Sequence, residues 1–304
     1  MLDTGLAYEN YHGFRKSPDI SRYRIADPKS FCTRIGLGDR SCRGQSKHPD
    51  DDNGHGTHVA STIAEATGNG IAETGLAYGA TIMPVQVLNR LGVGDDVSIT
   101  KGIRYAADHG AQVINLSVDF GKDVTSADEI PDIAAAVRYA HRKGVVIVAA
   151  AGNTAAAHVD YPAALPGVIS VGAVTDDDCL ADYSNTGDGL DLVAPGGGDD
   201  AGLDQPNCDD DPHHHGQRIL QLTFSRSRKA FHYPTNFYGT SMAAPHVAAT
   251  AALIIASGVL GPHPTPAAVE RRLKLTARDL GPAGPDTVYG YGLVDAGAAT
   301  EPAT

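Results

Sequence analysis

The stretch VVIVAAAG, residues 145–152, decides the fold class of this 304-residue chain. It is apolar throughout, which is typical of a strand that is covered on both faces and excludes one with a solvent face. The stretch VISVGAV (168–174) has the same pattern. Both therefore predict buried strands of a parallel sheet.

Strand-length apolar runs and helix-period segments alternate in the chain before these two stretches. Strands are indicated at 80–88 and 111–118, and helices are predicted at 97–110 and 131–143. This alternation predicts an α/β fold with a doubly wound, mostly parallel sheet flanked by helices. Such sheets bind their ligands at the carboxyl ends of the strands.

The second half of the chain departs from this alternation. The segment 196–217 is polar, acidic and rich in turn residues, and it predicts a surface loop insertion. Its aspartate and histidine runs are either a solvated loop or a metal site. Beyond it, 241–257 predicts a core helix and 265–276 a second helix with a Thr-Pro start. No linker divides the chain, so we expect a single domain over 1–304.

Composition limits the partners of this chain. The formal charge of −12 argues against nucleic acid, because phosphate binding needs a basic face. The apolar run 251–260 is too short to span a bilayer. We therefore expect neither a nucleic-acid nor a membrane partner, and we expect a monomer.

The four cysteines lack the spacing of a zinc site. Their even number in polar segments predicts the disulfides Cys32–Cys42 and Cys179–Cys208. The alternative is four reduced thiols in a cytosolic protein.

Three short stretches combine a reactive side chain with backbone that exposes it. They are MLDTG (1–5) with Asp3, NGHGTHVASTIA (53–64) with His55, and FYGTSMAAPHVAA (237–249) with Ser241. An acid, an imidazole and a hydroxyl are the groups that activate a serine nucleophile. Taken singly, each has an ordinary alternative: a turn aspartate, a metal-binding pair of His55 with His58, and a helix-capping serine.

In that order, the motifs DTG, HGTHVA and GTSMAAPHVA resemble those of the subtilisin-family (S8) serine peptidases, over essentially the whole chain. The resemblance implies a three-layer α/β/α fold with Asp3, His55 and Ser241 as the catalytic triad. It also places the oxyanion asparagine of AAAGN (149–153) at Asn153, and it makes His58 a structural residue.

The same resemblance implies an extended peptide substrate that pairs with edge backbone. The walls of the pocket for the residue before the scissile bond would come from two segments: Leu116, Ser117, Val118, Asp119, Ala151 and Gly152. At Asp119 the chain departs from the family's usual Leu-Gly-Gly. A carboxylate there would favour Arg or Lys, unless it is a solvent-facing loop aspartate.

A calcium ion is implied by the segment 66–79, which resembles a family loop in which an asparagine and alternate carbonyls bind the ion. The residues that match this site are Asp19, Thr67, Asn69, Ile71 and Glu73. Part of the family's site comes from residues ahead of the DTG strand, which this sequence lacks.

Family members also carry an N-terminal segment and most of a central strand before this aspartate, and secreted members carry a signal peptide and a propeptide. This sequence contains none of them, so we expect the gene to extend upstream of Met1.

The leading hypothesis for function is a secreted serine endopeptidase that forms an acyl-enzyme on Ser241. One alternative is a truncated, catalytically impaired fragment that retains at most peptide binding. Another is a metal-dependent hydrolase that uses His55, His58 and the histidines at 213–215.

Overall fold

A computed structural model of the chain describes residues 1–21, 24–33, 42, 46–71, 73–203, 208, 216–224 and 230–302. Within them lies a sheet of parallel strands in the order β2-β3-β1-β4-β5-β6-β7. The strands are β1 (Leu2–Asp3), β2 (Lys29–Ser30), β3 (Val85–Gln86), β4 (Val113–Leu116), β5 (Val146–Ala150), β6 (Ile169–Val174) and β7 (Leu192–Pro195).

Helices cover both faces of this sheet. They are α1 (His55–Ala64), α2 (Asp96–Asp108), α3 (Pro131–Arg142), α4 (Thr240–Ser257), α5 (Pro266–Thr276) and α6 (Ala296–Thr300). Two short 3₁₀ turns lie at Gly121–Asp123 and Ala127–Glu129. The predicted three-layer, doubly wound fold is therefore confirmed.

The side chains of β5 explain why this strand is apolar throughout. Ile147 and Ala149 pack into the core that α2 and α3 cover, whereas Val146, Val148 and Ala150 pack into the core under α4 and α5. Neither face reaches solvent. Burying a valine or isoleucine side chain contributes about 1.5–3 kcal/mol, so both faces of the strand stabilise the sheet.

Helix α4 is the central helix of the core that it covers together with α5. By length and composition it would pass as a membrane span, and 61% of it is buried inside the structure. Its small residues let α1 and the strands β4 to β7 pack closely against it. The same packing brings the first turn of α4 to the carboxyl edge of the sheet.

The structure differs from the sequence prediction mainly in the short elements. The four helices predicted from 97 onward lie within two residues of their expected ends, but the strand expected over 80–88 pairs in the ladder only at Val85–Gln86. Strands β2 and β7 and helix α6 were not predicted. They are two to five residues long, and pairing or packing with distant segments defines them.

Both predicted disulfides are present. Cys32 joins Cys42 with a Cα–Cα distance of 5.9 Å, and Cys179 joins Cys208 with a Cα–Cα distance of 4.6 Å. The second bond ties the predicted loop insertion to the turn after β6. Half of that insertion, including the histidines at 213–215, lies outside the described residues.

Candidate active site

The three candidate catalytic side chains start from three elements that end or begin at the carboxyl edge of the sheet. Asp3 is the last residue of β1, His55 is the first residue of α1, and Ser241 lies in the first turn of α4. Strands β1 and β4 are paired neighbours, so Asp3 lies beside the end of β4, where Ser117 follows. The parallel topology thus gathers residues that are far apart in sequence.

Asp3 and His55 form a direct hydrogen bond. The Nδ1–H of His55 donates to Oδ1 of Asp3 at 2.8 Å, and the Thr4 backbone N–H donates to the same oxygen at 2.6 Å. Asp3 is fully buried, whereas 23% of the His55 side chain is exposed. This bond places the imidazole proton on Nδ1. Among the described residues nothing bonds to the Nε2 of His55, so its lone pair is available.

Burial and charge act in opposite directions on the pKa of His55. Burial lowers the pKa of the imidazole, but the charge and hydrogen bond of Asp3, helped by the charge of Asp51, raise it above the ordinary value of 6.5. The charged form of the His55 ring, the imidazolium, is therefore stabilised. A general base needs this property, because it must hold a proton during the reaction.

Asp51 is a buried residue of this site that the sequence analysis missed. Its Oδ1 accepts hydrogen bonds from Thr4 Oγ1 at 3.0 Å and from the backbone N–H groups of Asn53 and Gly54, both at 2.9 Å. Its Oδ2 accepts from the N–H and hydroxyl of Thr57. Asp51 therefore ties the turn after β1 to the start of α1. The cluster Asp-Asp-Asn before a helix was the available signal.

Ser241 is held at the end of β4. Its hydroxyl donates to the Ser117 carbonyl at 3.3 Å, and the Ser117 hydroxyl donates to the Ser241 carbonyl at 2.8 Å. In the described part of the chain, Ser241 makes no hydrogen bond to His55. The structure therefore forms the acid–imidazole pair and places the serine at the same edge, with its hydroxyl turned toward β4.

Asn153 follows β5 and is oriented by the residue before the serine. Its Oδ1 accepts hydrogen bonds from the Thr240 backbone N–H at 2.8 Å and from the Thr240 hydroxyl at 3.0 Å. The amide oxygen is thereby fixed, and the Nδ2 group points away from Thr240, toward Asp119. Among the described residues it makes only one contact, a long one of 3.5 Å with Oδ2 of Asp119. A donor oriented in this way suits a developing oxyanion.

His58 is a structural residue. Its Nε2–H donates to the Ile219 carbonyl at 2.8 Å, and its ring stacks on Phe237 at a centroid distance of 4.5 Å. Burial lowers the pKa of His58 to about 3, so the ring is neutral. A His55–His58 metal pair is not supported: Nδ1 of His55 and Nε2 of His58 already have protein partners, and among the described residues no group of three or more metal-ligating side chains includes these two histidines.

The predicted pocket walls flank the serine. Leu116, Ser117 and Val118 are buried at the end of β4, whereas the side chain of Asp119 reaches solvent. Ala151 and Gly152 lie between β5 and Asn153, on the neighbouring strand end. The two segments run out from adjacent parallel strands, so they form two sides of one cleft.

The candidate cation site lies away from the cleft. The Asn69 amide contacts Oδ1 of Asp19, and Thr67, Ile71 and Glu73 flank Asn69 on the same loop. Fully buried Glu65 adjoins Asp19, and burial first, then the Asp19 charge, raises the pKa of Glu65 to about 8.

Three oxygens at this place lack a good hydrogen-bond donor among the described residues: Oδ2 of Asp19 and both carboxylate oxygens of Glu65. No lysine or arginine in that part of the chain forms an ion pair with either group. Buried carboxylates without partners fit a hard cation such as calcium. Glu65, at the end of α1, was not predicted, since in sequence it resembles a solvated helix residue.

Comparison with known proteins gives a consistent result. The profile of the subtilase family matches residues 2–292. Subtilisin Savinase of Lederbergia lenta is 38% identical over 250 residues, which are 82% of this chain and 78% of that protein.

Two further relatives and one solved structure match over most of the chain. The thermostable alkaline protease of Halalkalibacterium halodurans is 34% identical over 99% of this chain and 66% of its own length. The cell wall-associated protease of Bacillus subtilis is 39% identical over 78% of this chain, but the match spans only 22% of that protein. The structure of a protease from Pseudoalteromonas arctica PAMC 21717 superposes with a TM-score of 0.76 at 29% identity, covering 98% of this chain and 87% of that one.

Proposed function

This chain belongs to the subtilase family of serine endopeptidases, and we propose that Asp3, His55 and Ser241 are its catalytic triad. The observation that carries the proposal is the 2.8 Å bond from His55 to buried Asp3, which leaves Nε2 of His55 unoccupied at the edge that also holds Ser241.

In the acylation step the Ser241 hydroxyl attacks the carbonyl carbon of the scissile peptide bond. For this the hydroxyl leaves the Ser117 carbonyl by rotation about its Cα–Cβ bond and turns toward Nε2 of His55. His55 takes the hydroxyl proton, and Asp3 stabilises the resulting imidazolium. His55 then gives that proton to the leaving amine, and an ester between the acyl group and Ser241 remains.

Deacylation uses the same groups. A water molecule takes the place of the amine, His55 removes its proton, and the hydroxide attacks the ester carbonyl. The Ser241 oxygen leaves and recovers the proton from His55, which restores the starting state.

The negative oxygen of both tetrahedral intermediates needs donors that are already in place. The Nδ2 group of Asn153 and the backbone N–H of Ser241 serve this role. Thr240 supports it from behind, because its two hydrogen bonds hold the oxygen end of the Asn153 amide away from the cleft. A preoriented donor costs no reorganisation during the reaction.

The substrate is a protein or peptide in extended conformation. Its backbone pairs beside the end of β4, and the residue before the scissile bond enters between the segments 116–119 and 151–152. Strand addition of this kind gives affinity through the main chain and leaves selectivity to the pockets.

The protein acts outside the cell and carries a structural calcium ion. Two disulfides support the extracellular location, since such bonds persist in oxidising compartments, and one relative is named a cell wall-associated protease. Asp19, Asn69 and Glu65 would hold the calcium, which would neutralise their buried charge. It takes no part in the steps above.

A fluorophosphonate probe tests the triad, because it reacts only with an activated serine. We expect the protein to be labelled and Ser241→Ala to abolish both labelling and peptide hydrolysis. Ser257→Ala, which removes a hydroxyl at the other end of α4, is the matched control and keeps both. Labelling that survives Ser241→Ala would identify another nucleophile. An unlabelled but folded wild type would favour a protein that only binds peptides.

A further inference from the structure

The cleft beside Ser241 is closed at its far end by the dipeptide Asp160–Tyr161. The backbone N–H of Asp160 donates to the Ala151 carbonyl at 2.9 Å, and the Tyr161 carbonyl accepts from the Phe120 N–H at 2.9 Å. These two bonds attach one residue pair to both walls. Whatever enters between the walls therefore approaches Asp160.

The carboxylate of Asp160 is buried at this closed end. Only 1% of its side chain is exposed, and its Oδ1 lies 3.3 Å from Nε2 of the solvent-exposed His158. Its Oδ2 has the Asn185 amide nearby but no well-oriented donor among the described residues. A Cβ at position 152 would lie 2.2 Å from this oxygen, so only glycine allows the carboxylate to reach the wall.

A second carboxylate, that of Asp119, stands at the rim of the same cleft. The residue is exposed, yet desolvation of its carboxylate by neighbouring atoms raises its pKa, and the charge of Asp160 raises it further, which indicates that the two carboxylates are close enough to repel each other. Burial likewise raises the pKa of Asp160. Within the described ranges no lysine or arginine pairs with either residue.

We propose that Asp160, assisted by Asp119, forms an acidic specificity pocket that selects Lys or Arg as the residue before the scissile bond. This proposal rests on the proposed peptidase function and assigns its substrate class. A buried carboxylate that has no lysine or arginine partner and only one exposed histidine beside it is costly, and a long basic side chain is the group that would relieve the cost. Asp160 has the main role, because a charge at the rim alone is screened by water and salt.

The geometry also explains how a basic side chain would be held. Its apolar stem lies between the backbone of the two walls, and its charged end passes Asp119 before it reaches Asp160. Asp119 contacts the Asn153 amide, so a cation that attracts the Asp119 carboxylate frees the amide for the oxyanion. Selection would thus improve turnover as well as binding.

Two fluorogenic peptides that differ only in Arg or norleucine before the scissile bond test the proposal. For the wild type we expect a kcat/KM ratio that favours Arg by at least about tenfold, the size of one charge-assisted hydrogen bond. Asp160→Asn should lower that ratio roughly 10- to 100-fold, and Asp119→Asn should lower it less. Because the ratio is taken within each variant, differences in the amount of folded protein cancel.

Asp123→Asn is the matched control, since it removes an exposed carboxylate four residues after Asp119. It should leave the ratio unchanged. A wild-type preference for norleucine, or an equal fall of the ratio in Asp160→Asn and Asp123→Asn, would overturn the proposal.

Binding to the Ser241→Ala variant separates this proposal from the triad assignment. Calorimetry with two product peptides that end in Arg or norleucine measures the pocket without catalysis. Tighter binding of the Arg peptide that is lost on adding Asp160→Asn supports the pocket even if the wild type fails to react with a fluorophosphonate. Equal binding of the two peptides contradicts it, whatever the wild type's activity.

Discussion

At His55, burial favours the neutral ring and the buried carboxylate of Asp3 favours the charged one, and the carboxylate prevails. The imidazole must be neutral before it can accept the serine proton. Activity should therefore rise with pH through a pKa that lies above the ordinary value. The position of this acidic limb reports directly on Asp3.

Replacing Asp3 by Asn should shift that limb to lower pH, because burial, which lowers the pKa of His55, is then opposed only by the weaker effect of the Asp51 charge. It should also reduce turnover by about 10⁴, since the amide can stabilise the wrong tautomer. The rate of fluorophosphonate inactivation from pH 5 to 9 measures both effects. Asp96→Asn, an exposed carboxylate on α2, should change neither. A limb at the same pH in both variants would contradict the role of Asp3.

Replacing Asn153 by Ala should reduce kcat about 10²–10³-fold, the same loss as for the corresponding asparagine of subtilisin. KM should change little, because the amide faces the oxyanion and not the ground-state substrate. Steady-state kinetics on one peptide decide this, with Asn10→Ala, on a surface loop, as the control. A rise in KM at constant kcat would assign Asn153 to substrate binding instead.

The sequence motifs correctly place four candidate residues at the carboxyl edge of the sheet, whereas a residue that reaches the site only through the tertiary fold could not be predicted. Asp3, His55, Ser241 and Asn153 sit in short patterns that name them. Asp160, by contrast, stands in an ordinary turn sequence, and its place at the end of the cleft depends on two backbone bonds to distant segments.

Among the elements, the end of α1 meets the segment after β1 at a pair of buried carboxylates, those of Glu65 and Asp19. Asp19 and Glu65 together carry three oxygens without a donor in the described part of the protein. Removing one of the two carboxylates has a large effect on the free energy of the site, because water cannot reach the carboxylate that remains.

Calcium should therefore stabilise the protein. Glu65→Gln should raise the Kd for calcium at least about tenfold and so reduce this stabilisation. At a calcium concentration of 100 times Kd the gain is about 2.7 kcal/mol. Thermal unfolding in calcium or in chelator, in a Ser241→Ala background to prevent autolysis, gives the size of the gain. Glu301→Gln, near the end of the described chain, is the control. An unchanged calcium response in Glu65→Gln would remove Glu65 from the site.

The longer elements were predictable and the shortest were not. Helices such as α3 and strands such as β5 and β6 have a periodicity or an apolar run of sufficient length. Strand β7 has four residues next to a glycine-rich segment, and β2 has two; both exist because a neighbouring strand supplies hydrogen bonds. Local sequence carries no information about that neighbour.

At the scale of the whole molecule, buried neutral histidines couple folding to pH. Burial lowers the pKa of His58 to about 3 and also lowers that of His246, so in acid the unfolded chain binds protons that the native state does not. Stability then rises with pH wherever the unfolded state holds more protons. The contribution of His58 is complete above pH 6.5 and falls as pH drops toward 3.

We expect the free energy of unfolding to decline between pH 6.5 and 4, by up to roughly 1.4 kcal/mol per pH unit for each such histidine. His58→Phe should make the decline shallower, although the Ile219 carbonyl loses its donor and stability at pH 7 falls. Urea unfolding of the Ser241→Ala protein at several pH values provides the measurement. The exposed His263→Gln is the matched control. Equal slopes in all three proteins would exclude His58 as a cause.

The parallel topology joins proposed catalytic groups that are far apart in sequence, with Asp3 on β1 and Ser241 in the first turn of α4. During synthesis the ribosome releases the acid and the imidazole long before the nucleophile. A growing chain is therefore chemically inert, and so is any product of premature termination before α4. Under the proposed mechanism, proteolytic activity arises only when α4 packs against the sheet. This order protects the cell that makes the protein from incompletely synthesised enzyme.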